Sequence, residues 1–245
     1  MLLLLACSPP PEAPAAFDEL VVWLYTEHPD DEAIAAGVLQ LQTWLDANGS
    51  SLEESYLVGT LTEETVDGLD GRDRTIEGMQ ALALVTESTY SVDDQAYAMI
   101  GADLMEVYPD MFVAYDRTWE GDPDCFLDHG CDRVEALEDY ESHFALGIEV
   151  LGSPYNQYVW VDTDAGPAFV QRNWMTEPPS VNVDFAQVDE QMYLNAFLPK
   201  EGGGAWRLQA TWAIYATDLE DMVASLVGGS MEDNHEALET WLDAQ

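Results

Sequence analysis

The chain reads as an α+β protein: a curved antiparallel sheet with helices before it and a long helix after it. Three observations give this class. From Gln157 to Tyr215, strand-like segments follow one another with no helical segment between them, and consecutive strands without crossover helices pair antiparallel. The last of them alternates at a period of two: in "WRLQATWAI", Trp206, Leu208, Ala210, Trp212 and Ile214 share one face and Arg207, Gln209 and Thr211 take the other. The segments around 31–48 and 219–242 carry apolar residues at helical spacing instead.

The elements are taken in chain order. "FDELVVWLY" places Phe17, Leu20, Val21 and Leu24 on one helical face, while "LVVWLY" alone fits a buried strand, and both readings stand. From Asp31 the pattern is helical, with Ile34, Val38, Leu41 and Leu45 recurring at three and four and Asn48-Gly49 ending the run. "SYLVGTLTEETVDG" and "MQALALVTESTY" are expected as strands around the polar turn "LDGRDR". Ser91 caps the next helix, Asp93 and Asp94 suit its first turn, and Pro109 stops it. The strands "MFVAYDRTW", "DYESHFALGIEV", "QYVWVDTD", "PAFVQRNWM", "QMYLNAFLP" and "AWRLQATWAIY" follow. A terminal helical region, 219–242, is loosened at Gly228-Gly229. The sheet is expected to curve around its apolar side.

Charge narrows the partners. There are 48 acidic against 7 basic residues, a net of −41. Phosphate-backbone binding needs clustered Lys and Arg, so nucleic acid is excluded as a partner and adsorption to anionic membrane is disfavoured. Such a surface fits a highly soluble protein, or an acidic interaction protein that meets a basic partner in a salt-sensitive way.

Residues 1–7, "MLLLLAC", end in Leu4-Leu5-Ala6-Cys7, which resembles the lipobox of bacterial lipoproteins with Cys7 as the lipidated residue. The apolar run is short and no Lys or Arg precedes it, so the natural start is expected further upstream. Residues 8–16 form a Pro/Ala tether, and 17–245 are expected to be one domain. The resemblance implies a protein of the bacterial envelope, facing periplasm or exterior, which touches membrane only through the anchor. In an oxidising compartment Cys125 and Cys131 of "CFLDHGC" would pair, worth about 2 kcal/mol for so small a loop. A zinc site of Cys125, His129 and Cys131 is the alternative there.

His28-Pro29-Asp30-Asp31-Glu32, followed by Gly37, resembles the signature of the LmbE/PIG-L de-N-acetylases. The resemblance implies zinc on His28 and Asp31, Asp30 as general base, and a loop following the first strand of a Rossmann-like sheet. Val38 stands where that signature has a second Gly, and none of the segments around His129, His143 and His235 matches the expected third-ligand pattern. The same letters also make a favourable helix entry, with Pro near the first turn and acids against the helix dipole.

The element order, with "VQRNWM", "QMYLNAFLP" and "WRLQATW" ahead of a closing helix, resembles the START/SRPBCC helix-grip superfamily. That resemblance implies an apolar or amphipathic, lipid-like ligand held without catalysis, and no cofactor, between sheet and terminal helix. Trp174, Tyr193, Phe197, Trp206 and Trp212 are the candidate lining residues. Arg172 and Arg207, inside strands of so acidic a chain, call for fixed partners: a neighbouring carboxylate or the anionic head group of a ligand.

Overall fold

The computed structural model of the protein describes residues 11–49, 56–144, 147–183, 187–216 and 220–245. Cys7 lies outside the described residues. The elements are α1 (Phe17–Thr26), α2 (Asp31–Asn48), β1 (Tyr56–Leu57), α3 (Glu63–Asp67), β2 (Gln80–Ser88), α4 (Val92–Ala96), a π-helical turn (Tyr97–Gly101), α5 (Leu104–Val107), β3 (Phe112–Glu120), α6 (Pro123–Leu127), β4 (Arg133–Phe144), β5 (Ile148–Gly152), β6 (Pro154–Thr163), β7 (Gly166–Met175), β8 (Ser180–Val181), β9 (Gln187–Pro199), β10 (Ala205–Ala216) and α7 (Glu220–Asp243). The strands build one antiparallel sheet in the order β1-β2-β10-β9-β7-β6-β4-β5-β8, with β3 added to β4. The expected α+β class, a large curved antiparallel sheet between N-terminal helices and a long C-terminal helix, is what the chain forms.

Local chemistry decides the segments where the sequence pattern was ambiguous or misleading. Residues 17–26 are helical, since only a helix gathers Phe17, Leu20, Val21 and Leu24 onto one buried face. The second half of "SYLVGTLTEETVDG" is helix rather than strand: the Thr62 hydroxyl accepts the Thr65 N–H and caps α3. Ser91 caps α4 as expected, and Asp94 completes a capping box with it, but the helix gives way to the π turn and restarts after Asp103, whose carboxylate caps α5. "DYESHFALGIEV" is not one strand but the end of β4 and the start of β5, parted near Gly147 at φ +74°. α7 runs unbroken through Gly228-Gly229.

The sheet has two covered faces. On the outer one the α1–α2 hairpin packs Leu20, Val21, Leu24, Leu41 and Leu45 against Val170, Leu194, Ala196, Leu208 and Trp212. On the inner one lie α4, α6 and α7, with Phe126, Leu238 and Leu242 against Tyr158, Trp160, Phe169 and Phe197, and Met231 of α7 against Leu82 and Leu84. Strand β4 is shared along one edge: Arg133–Leu137 pair with β6, and Tyr140–Phe144 with β5. At the junction the Tyr140 ring lies over Gly152, where an added Cβ would stand 2.7 Å from the ring, so only glycine admits it.

Candidate ligand-binding face

Strand register sorts the inner side chains into rows. One row crosses the strands as Thr86, Arg207, Phe197, Phe169 and Trp160. The next is Leu84, Gln209, Asn195, Gln171, Tyr158 and Val134; the third is Leu82, Thr211, Tyr193, Asn173, Asn156 and Ala136. The two later rows are mostly amides and hydroxyls, in the middle of the sheet.

These amides are partly linked. Asn195 Nδ2 donates to Gln171 Oε1 at 2.9 Å, Gln171 Nε2 to Asn156 Oδ1 at 2.7 Å, and Asn173 Nδ2 to the same Asn156 oxygen at 3.1 Å. The Gln191 amide donates to the Tyr193 hydroxyl. Other buried polar atoms have no partner: Gln209 Oε1, Asn173 Oδ1, Thr86 Oγ1, Arg207 Nε, and both side-chain polar atoms of Gln95. Native interiors rarely leave such groups unsatisfied, because each costs roughly 1–3 kcal/mol. Tyr193, Asn195, Asn173 and Tyr140 are only half-buried although their strands are interior to the sheet. Burial pushes the Tyr193 phenol up to about 12 and also raises those of Tyr140, Tyr158 and Tyr215, so all four stay protonated donors.

Toward the β3 edge, Glu138 accepts from Arg117 Nε at 2.9 Å and from the Tyr158 hydroxyl at 3.2 Å. Arg117 also donates to the Met99 carbonyl at 2.9 Å and lies over the Tyr115 and Trp119 rings. A pocket of about 190 Å³ between α5 and β3 is lined by Leu104, Asp103, Tyr115, Arg117 and Trp119 among others. Beside it, α6 inserts Phe126 against Trp160 and Phe169, and Trp160 Nε1 donates to the Phe126 carbonyl at 2.8 Å. The Cys125–Cys131 disulfide closes that loop, with Cα atoms 5.5 Å apart. The alternative zinc reading of the loop is corrected: its cysteines are bonded to each other, and His129 Nε2 sits 2.8 Å from Asp93.

The seven candidate ligand residues do not form one site. Tyr193, Phe197 and Arg207 are on the inner face. Arg172, Trp174, Trp206 and Trp212 are on the outer one, because on β7 and β10 the even-numbered side chains point to the α1–α2 hairpin. Trp212 is fully buried and donates to the Gly59 carbonyl at 2.8 Å. Trp174 donates to Asp70 at 3.1 Å. Arg172 needs no carboxylate: it donates to the Tyr25 carbonyl at 3.0 Å and to Gln157 Oε1 at 2.8 Å, between the Tyr25 and Trp174 rings. The apolar face is thus the packing face, and the sheet is gripped by α7 on its polar side. Asn156, Gln171, Asn173, Asn195 and Gln209 were missed as site residues. Their signal was the polar half of the alternation in "PYNQYVW", "VQRNWM", "QMYLNAFLP" and "WRLQATW".

The His28, Asp30 and Asp31 side chains are each engaged separately. His28 is fully buried with Nε2 3.4 Å from the Val170 carbonyl. Burial, with Arg172 and Arg133 nearby, holds its pKa well below the ordinary value, so it is neutral. Asp30 Oδ1 caps α2 by accepting from Glu32 N and Ala33 N at 3.0 and 2.9 Å. Asp31 Oδ1 accepts from Arg133 at 2.7 Å. Among the described residues no three His, Cys, Asp or Glu side chains are grouped to hold a metal ion. The loop follows a helix, α1, and the sheet is antiparallel, which corrects the Rossmann-like context the resemblance implied.

No family model and no curated sequence matches the chain. Solved structures with a similar chain course include a STAR-related lipid transfer protein fragment from Xanthomonas axonopodis, at 11% identity and TM-score 0.47 over 69% of this chain and 96% of that one. Others are a protein from Thermus thermophilus, at 13% and 0.45 over 67% and 97%, and a START superfamily protein from Mycobacterium smegmatis, at 11% and 0.41 over 67% and 97%.

Proposed function

We propose that this chain is a non-enzymatic binding protein for a small amphipathic molecule, seated between the inner face of the sheet and α7. The observation that carries this is the pair of amide-and-hydroxyl rows on the inner face, partly buried yet incompletely hydrogen-bonded. A ligand with ring or chain surface would lie on Phe169, Phe197 and the tyrosines and offer hydrogen-bonding groups to Gln209, Asn195 and Asn173. A wholly apolar ligand is the poorer fit, since it would leave those amides unpaired in a dry site. This moves the expected ligand from the apolar to the amphipathic end.

The same reading puts the protein at the bacterial envelope, held by a lipid on Cys7. Three features support it: the Leu4-Leu5-Ala6-Cys7 pattern, the Pro/Ala tether after it, and the Cys125–Cys131 disulfide, a bond that persists in oxidising compartments. Detergent-phase partitioning of the full chain, lost in Cys7→Ala, is the expected result; partitioning unchanged by the substitution removes the anchor.

Titration with N-phenyl-1-naphthylamine, whose emission rises in a sheltered site, tests the binding reading. Saturable binding is expected at one site, abolished by Asn195→Trp, which fills the face, and kept by Val170→Ile on the outer side. A folded protein that gives no saturable signal, or an Asn195→Trp variant that binds as well as the parent, overturns the reading.

A further inference from the structure

All seven basic residues lie among the described residues, and five of them meet a carboxylate. Arg72 and Arg74 both reach Glu190, Arg117 reaches Glu138, Arg133 reaches Asp31 and Lys200 reaches Glu87. Arg172 is satisfied by neutral acceptors on the outer face. Arg207 is different. It is 2% exposed, donates a long hydrogen bond from Nη1 to the Asn234 carbonyl of α7 at 3.5 Å, and is hydrogen-bonded to the Tyr108 hydroxyl. Its Nε has no partner, nor has the hydroxyl of Thr86, its cross-strand neighbour on β2. The Phe197 ring lies 5.3 Å from the guanidinium carbon. Glu239 of α7 is in the same neighbourhood but beyond ion-pair distance, and its Oε1 is itself unpartnered.

A buried guanidinium without an anion is costly, and arginine retains its charge under burial. Among the described residues no carboxylate pairs with it, in a chain that has 48. Arg207 stands one inner-face row from Gln209 and Asn195, a step of about 7 Å along the strands. A molecule lying over the amide rows therefore has Arg207 within reach of one end.

We infer that Arg207, with the Thr86 hydroxyl, binds an oxyanion at one end of the ligand, a carboxylate or a phosphate ester, while its uncharged part lies over the amide rows. This rests on the binding reading above and assigns its ligand class: an organic anion with a ring or short apolar body.

The test is displacement of bound N-phenyl-1-naphthylamine by three matched competitors: 1-naphthol, 1-naphthoate and 1-naphthyl phosphate. At pH 7 one or both anions should outcompete the naphthol by about tenfold or more, the size of one charge-assisted contact. Preference for naphthoate identifies a carboxylate ligand, and preference for the phosphate a phosphate ester. Arg207→Gln should bring the anion-to-naphthol ratio to about one. Should that variant fail to fold, Arg207→Lys, which keeps the charge, and Thr86→Val, which removes the hydroxyl alone, should each lower the ratio several-fold. Equal competition by all three in the parent protein, or a ratio untouched in folded variants, overturns the anion inference and leaves the binding reading standing. If the fluorescent probe itself never binds, the binding reading falls and takes this inference with it.

Discussion

The two faces of one sheet differ by a single step along each strand. Leu194 and Leu208 are fully buried against the α1–α2 hairpin; Asn195 and Gln209, one residue on, lie on the opposite, inner face. The outer face is closed with leucine, valine and tryptophan. The inner face keeps amides, phenols and an arginine whose hydrogen-bonding capacity is not used up. The contrast separates what holds the fold from what the fold holds. The outer side also leaves single polar atoms unpartnered, His28 Nδ1, Gln42 Oε1 and Trp206 Nε1, but only the inner face sets amides and hydroxyls side by side in adjacent rows, as a face built to receive a molecule would.

That division can be attacked first where the outer face is densest. Trp212→Ala removes a fully buried indole and its bond to Gly59, and should cost about 3–5 kcal/mol in urea unfolding. A loss under ~1 kcal/mol, far below the core-cavity range, would show that the hairpin is only laid on the sheet. A paired exchange comes next in size. Leu208→Asn should cost about 2–4 kcal/mol by burying an unpaired amide. The adjacent Gln209→Leu should stay within about 1 kcal/mol of the parent or be more stable, while weakening naphthylamine binding. Equal destabilisation by both would erase the distinction between the faces.

Each face also has its own histidine with a depressed pKa. His28, on the outer side, is held well below the ordinary value by burial; His235, on α7, is lowered to about 4 by burial and by Arg207. Below pH ~6.5 the unfolded chain takes protons that these side chains refuse in the folded state. The unfolded state then binds more protons, so stability is intact above that pH and falls as pH drops. For His235 the loss accrues down to about pH 4. His28→Gln and His235→Gln should each flatten the stability-against-pH curve over the window of its own residue. An unchanged slope in one variant would clear that histidine of the effect.

The smallest effect expected is on the cover of the inner face. Gly229 lies inside α7, and a Cβ there meets nothing within 4 Å. Gly229→Ala should add about 0.5–1 kcal/mol and leave naphthylamine binding intact. Loss of binding instead would mean that α7 has to bend at this point to admit a ligand.

The strand run from Gln157 to Tyr215, the helix from Asp31 and the Ser91 cap were all legible in the sequence, since period and capping chemistry are local. So was the alternation on β10, down to which residues share a face. What alternation does not carry is which helices cover which side. Trp206 and Trp212 fit a cavity wall as well as a packed core by their letters. Only the placement of α1 and α2 on that side, through contacts such as Tyr25 to Asn173, 148 positions apart, decides it. Val66 and the TEETVD turn were misread for a different reason: a β-branched residue favours a strand on its own, and the Thr62 cap overrode it. The His28 loop spells a metal signature, but its three side chains are spent on a backbone carbonyl, a helix cap and an ion pair.

The seating of the hairpin also bears on biosynthesis. The helices α1 and α2 leave the ribosome ahead of the sheet they rest on, whose strands β6, β7, β9 and β10 come in the second half of the sequence, β10 last among them. Until residue 214 has emerged, Leu20, Leu24, Leu41 and Leu45 have only one another and part of the sheet to pack against. Contacts this distant in sequence make folding slow and leave apolar surface waiting. A nascent chain stalled before β10 should therefore be the species that a chaperone or an export factor recognises, and the completed sheet is what releases it.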